Sequence, residues 1–145
     1  MKPFEWIRWD QATPTDGVIS RDVGYFPYSF ALAVGKEQKD VFLKKIGCDN
    51  IPAPKSTSLA TANNISGSWY GTLVTIHDAT SISGFKIVEI LIHEAVHVYQ
   101  NLIKHIGESH PSTEFDAYTV HHISMELIAD FERITGRELI RKGKP

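Results

Sequence analysis

The chain reads as an α+β fold, and two observations carry that reading. Segments rich in β-branched and aromatic residues fall in the first half of the chain, at 18–34 and 68–77. Two long runs with apolar residues at helical spacing follow, at 85–103 and 112–131. At 145 residues one domain with one core is expected, over 1–145. Within it we expect a core at 18–136, an irregular arm at 1–16 and a basic tail at 137–145.

The arm holds Trp6, Trp9 and two prolines, a composition suited to wrapping rather than to a regular element. Residues 18–34 predict one or two short strands, interrupted at Gly24 and Pro27. Residues 36–46 predict a short helix that packs through Val41, Phe42 and Ile46. Residues 47–66 read as a long loop, placed to cover a cleft. Residues 68–77 give the clearest strand, ended by the turn-forming run 78–84. His77 closes that strand, where a solvent-facing side chain is expected.

The helix expected at 85–103 is apolar around nearly its whole circumference, which predicts burial on most sides. Gly107, Ser109 and Pro111 suit a loop at about 104–111, so the helix should end within two turns of His97. Ser112 or Thr113 is a natural cap for the next helix. Phe115, Val120, Ile123, Leu127, Phe131 and Ile134 mark its apolar side, while Glu114, Ala117, Tyr118 and His121 lie along a different stripe.

Composition excludes some classes of function. Apolar content of 42% is ordinary for a globular protein, and a net charge of −2 gives no reason to expect nucleic acid or an anionic membrane as partner. The basic cluster Arg137, Arg141, Lys142 and Lys144 reads as a solvated tail. Cys48 is the only cysteine, which rules out an internal disulfide; it reads as a small apolar filler. The first residues lack the apolar stretch of a secretory signal, and no run is long enough to span a bilayer. A cytoplasmic protein is the expectation.

The chemistry concentrates in His93-Glu94-Ala95-Val96-His97. Histidines four apart share one helical face and can reach one ion, and the glutamate between them can serve as general base. A catalytic zinc takes three protein ligands and keeps one position open. Downstream candidates for the third are His105, His110, Glu114, Asp116, His121, His122 and Glu126, and we favour Glu114. A histidine six residues past His97 would mark a different ligand set, but Ile103 stands there.

The pattern His93-Glu94-x-x-His97, sixteen residues, then Glu114-x-x-Ala117-Tyr118 resembles the gluzincin branch of the zincin metallopeptidases. In size the chain is similar to the minigluzincins, and the resemblance covers about residues 66–134. It implies a minimal zincin-like domain, with a small, mostly antiparallel sheet packed on a buried metal helix and a glutamate-bearing helix after it. It implies one Zn2+ per chain on His93, His97 and Glu114, and a peptide or protein substrate. A strand before the metal helix would pair with that substrate through a free edge, or else lie inside the sheet with no free edge, and both readings stand at this point.

Glu94 would be the base, and Tyr118 and His121 the candidate oxyanion donors, with Tyr99 and His122 behind them. Thermolysin-like members carry an aspartate where this chain has Tyr118. Asp116 is therefore the substitute partner for a zinc histidine, and Glu89 a weaker one. The alternative function is a non-catalytic zincin-like module, in which zinc clamps two helices and the surface serves as an interaction or assembly interface. A chain this short has little material for a cleft roof, which favours that alternative. The intact Glu94 favours the enzyme.

Overall fold

A computed structural model describes residues 8–9, 18–22, 28–48, 51, 58–109 and 111–140. The described elements run β1 (Arg8–Trp9), β2 (Ile19–Asp22), β3 (Ser29–Val34), α1 (Lys36–Lys45), β4 (Ala60–Ile65), β5 (Gly71–Ile76), α2 (Gly84–Ile106) and α3 (Thr113–Thr135). The strands form one sheet in the order β1-β2-β3-β5-β4. Only β3 and β5 are parallel; the other pairs are antiparallel. The α+β class and the mostly antiparallel sheet stand as expected. The arm is not wholly irregular, because its residues 8–9 pair with β2.

β5 lies inside the sheet, and all six of its residues are buried. Its side chains alternate between two layers, as strand geometry requires. Val74 and Ile76 join Phe30 and Leu32 of β3 in the core under α2 and α3, while Leu73 joins Ala31, Ala33, Phe42 and Leu43 under α1. Gly71 opens the strand because no other residue fits. A Cβ there would lie 2.3 Å from the Ser29 carbonyl oxygen and 2.6 Å from the Trp69 ring.

Two readings of this half of the chain need correction. Of the two readings of the strand at 68–77, a free edge or an interior place, the interior one holds, because β3 and β4 flank it on both sides. The terminal strand is β4, within the stretch read as loop. Its sequence, Ala-Thr-Ala-Asn-Asn-Ile, has weak strand propensity, and pairing with β5 along its whole length overrides that preference. In α1, Val41 is exposed, and the buried side is Lys39, Phe42 and Leu43.

α2 begins at the Ser83 cap, whose hydroxyl accepts from the Lys86 N–H, and ends at Gly107 in the left-handed region (φ 72°). One face carries Ile87, Leu91, Ala95, Val98 and Leu102 into the core. The opposite face leaves Phe85, Ile92 and Val96 exposed, so burial on most sides is corrected to burial on one. The helix lies on a sheet with α3 as its neighbouring helix, and no described element covers its outer side. It also runs past the expected end, to Ile106.

α3 is capped by Ser112, which accepts from the Phe115 N–H at 3.1 Å, and it buries Ile123, Leu127 and Phe131. Arg137 does not belong to a solvated tail. Its guanidinium donates to the carbonyls of Ala79 and Ile82, at 2.7 and 2.9 Å, and lies over the Phe131 ring. No helix among the described residues is long and apolar enough to cross a membrane.

Candidate metal centre

His93 and His97 stand one turn apart on α2, both exposed, with their Nε2 atoms 3.2 Å apart. Two nitrogens bound at about 2.0–2.1 Å to one tetrahedral ion lie roughly 3.3–3.4 Å apart, so the pair is already at ligand spacing. The Nδ1 of His97 donates to Gln100 Oε1 at 2.9 Å. A carboxamide oxygen can only accept, so the proton sits on Nδ1 and the Nε2 lone pair is available. Gln100 therefore takes the orienting part expected of Asp116.

Glu94, between the two histidines in the chain, turns toward the buried side of α2 and is 6% exposed, yet lies close enough to His93 and His97 to feel their charge. Its Oε2 is buried without a hydrogen-bond partner. Burial raises its pKa, and the nearby His97 and His93 only partly offset that. A buried carboxylate oxygen with no donor is costly. A cation beside it, or a water carried by one, would supply what it lacks. The donor set of two imidazoles with an adjacent carboxylate also suits zinc. His93 and His97 thus supply two of the three protein ligands that a catalytic zinc takes.

The rest of the expected site is dispersed. No group of three metal-capable side chains forms among the described residues. Glu114 sits exposed in the first turn of α3. Its neighbours Phe115 and Asp116 pack on Tyr99, by ring contact and by a hydrogen bond from the Tyr99 hydroxyl to Asp116 Oδ1. At 3.6 residues per turn, Tyr99 points about 160° away from His97 around α2. The first turn of α3 thus docks on the flank opposite the imidazoles. The extension of α2 to Ile106 lengthens the path between the two helices and sets this register.

Tyr118 is 72% exposed and His121 is exposed on the same helix, and no contact links either to the pair. His122 and Glu126 are half-buried on α3. Glu89 pairs with Lys86 at 3.4 Å rather than with a histidine. His105 packs against the rings of Tyr28 and Tyr70 toward the far end of α2. His110 lies outside the described residues, as does much of the 47–66 stretch.

The imidazole flank faces away from α3, toward the side of the sheet that ends in β4. Asn101 Nδ2 donates to Thr72 of β5 at 3.0 Å, and Ala60 and Ala62 of β4 pack against the same core, so α2 lies over the last two strands. Gln100 and the β4 edge were both missed in the sequence. Gln100 was findable, because a residue three after His97 must be its neighbour on a helix. Comparison of this chain with family models, curated proteins and solved structures finds no match.

Proposed function

We propose that this chain is a zinc-dependent metallopeptidase of zincin-like fold. The observation that carries the proposal is the imidazole pair at ligand spacing beside a buried, unpartnered Glu94 carboxylate. His93 and His97 would hold the ion, and Gln100 fixes His97 in the binding tautomer. Zinc, when bound, polarises a carbonyl and lowers the pKa of water to about 7. Glu94, its pKa raised by burial and so a stronger base than an exposed carboxylate, would take a proton from water and return it to the leaving amine. The outer edge of β4 has no strand partner among the described residues, and an extended peptide adding there would lie along the imidazole flank.

Glu114 serves as third ligand only if the first turn of α3 leaves Tyr99. Metal content of Glu114→Ala tests that step separately from the pair. The non-catalytic zinc module has one observation in its favour, the lack of a third described ligand near the pair. A proteome-derived peptide library incubated with wild type, with Glu94→Gln and with wild type plus chelator tests the choice. Cleavage by wild type alone supports the peptidase. Zinc binding without cleavage supports the module.

A further inference from the structure

The hydrogen-bond phase of β4 decides what its outer edge offers. The His77 N–H donates to the Leu59 carbonyl at 3.0 Å, so Thr61 and Asn63, two and four residues on, direct their backbone groups to β5. The N–H and C=O groups of Ala60, Ala62 and Asn64 therefore point outward. The side chains of these three lie on the α2 face: Ala60 and Ala62 pack on its core, and Asn64 bonds to Tyr28.

α2 runs along this edge in a fixed register. Asn101 donates to Thr72, the strand partner of Asn64. α2 follows β5 after a short connection and runs back along it. Four helical residues and two strand residues each advance about 6–7 Å. His97 thus stands level with Ala62, and His93 with Ala60.

One turn beyond Asn101 the groove between α2 and β4 meets a cluster of rings. His105 packs on Tyr28 and Tyr70, with centroids 5.1 and 5.5 Å away. The Tyr28 hydroxyl donates to Asn64 Oδ1 at 2.7 Å, which ties Asn64 to the same cluster and leaves its Nδ2 hydrogens for another acceptor. Asn64, Tyr70 and His105 are all exposed. The Asn64 amide, the Tyr70 hydroxyl and the His105 ring N–H have no hydrogen-bond acceptor among the described residues. Charge points the same way. Residues 58–77 include no acid, and between His93 and Gly107 the buried Glu94 is the only one, against His93, His97, Lys104 and His105. The next acid, Glu108, lies past the Gly107 cap.

We infer that Asn64, Tyr70 and His105 form a subsite for an acidic side chain of a bound peptide. The inference rests on the reading of β4 as the substrate-binding edge. A peptide residue paired with Asn64 turns its side chain to the same face, beside the three donors. The peptide residue two positions along pairs with Ala62, level with His97. The substrate is thus a peptide with Asp or Glu about two residues from the bond held at the imidazole pair. A carboxylate accepts from the donors of the cluster, whereas a lysine side chain only adds more.

The test uses metal-free protein, so that binding is read without hydrolysis. Blocked eight-residue peptides of alternating valine and threonine, with Glu, Gln or Lys at the fourth position, are titrated by calorimetry and followed by amide chemical shifts. Saturable binding of the Glu peptide is expected, with shifts centred on 60–65 and His105, the Gln peptide several-fold weaker and the Lys peptide at least ten-fold weaker. Asn64→Asp keeps the acceptor for Tyr28 and removes the donors, and should weaken the Glu peptide at least ten-fold. Tyr70→Phe should weaken it several-fold, and Met125→Ala, on the exposed side of α3, should leave it unchanged. No saturation in wild type, a Glu peptide that binds no better than Gln or Lys, or full affinity in Asn64→Asp and Tyr70→Phe would overturn the subsite. Preference for the Glu peptide in a protein that cleaves nothing would keep the subsite and remove the peptidase. Cleavage of library peptides without an acidic preference would keep the peptidase and remove the subsite.

Discussion

Gln100 Oε1 accepts the Nδ1 proton of His97 at 2.9 Å, one helical turn along α2. This bond selects the His97 tautomer whose Nε2 can take a metal, and it holds the ring where that atom lies 3.2 Å from its counterpart on His93. Removing such an orienting partner typically costs 10–100-fold in metal affinity. Gln100→Ala is expected to weaken zinc binding by about that factor, and Gln100→Glu, which keeps the acceptor, to restore most of it. Competition against a chromophoric chelator measures both.

Glu94→Gln is expected to keep zinc and to lower peptide hydrolysis by about 10²–10⁴-fold, the usual range for a general base. It also has a consequence without metal. The folded-state pKa of Glu94 is raised above its ordinary 4.5, so burial of its charged form opposes folding. Stability from this group is present below pH 4.5 and is lost as pH rises through the higher folded value. The metal-free glutamine variant should therefore melt above metal-free wild type at pH 7, and the gap should close toward pH 4. Calorimetric melts across that range measure it.

Tyr28 gives a pH dependence at the other end of the scale. Its hydroxyl meets Thr72 Oγ1 at 2.6 Å and Asn64 Oδ1 at 2.7 Å, and burial pushes its pKa up to about 12. The folded pKa exceeds the unfolded value of 10, so its contribution is intact below pH 10 and is lost between pH 10 and about 12. Tyr28→Phe is expected to cost about 0.5–1.5 kcal/mol at pH 7 by removing both hydrogen bonds of the hydroxyl, while Thr72 keeps its bond from Asn101 and the exposed Asn64 turns to solvent. It should also flatten the fall in stability above pH 10. Urea unfolding at pH 7 and at pH 11 tests both.

Arg137 closes the loop between β5 and α2 onto the end of α3 through its bonds to the Ala79 and Ile82 carbonyls. Arg137→Ala is expected to lower stability by about 1–3 kcal/mol. For a chain of this size that is a drop of several degrees in Tm, on the order of 2–4 °C per kcal/mol. Arg137→Lys, which lacks the forked pair of donors, should recover little of it. Thermal melts of the two variants measure the effect.

Local signals in the sequence carried the reading of α2 and α3. Ser83 and Ser112 cap them, Gly107 and Gly136 end them in the left-handed conformation, and Ile123, Leu127 and Phe131 repeat at helical spacing. The imidazole pair follows from the helix alone. What the sequence hid depends on docking. Whether Glu114 reaches His97 is set by the flank of α2 on which α3 lies, and Tyr99 contacting Phe115 and Asp116 fixes that flank. β4 is a strand because β5 pairs with it, not because alanine and asparagine favour one. Arg137 resembled a tail residue because its partners lie more than fifty positions earlier in the chain.

The most direct measurement is the zinc content and affinity of purified wild type beside His93→Ala and His97→Ala. About one ion per chain in wild type, with both variants losing it while their far-ultraviolet circular dichroism is retained, is the result that follows from the imidazole geometry. A wild-type protein that stays metal-free at saturating zinc, or variants that bind zinc as tightly as wild type, would contradict it.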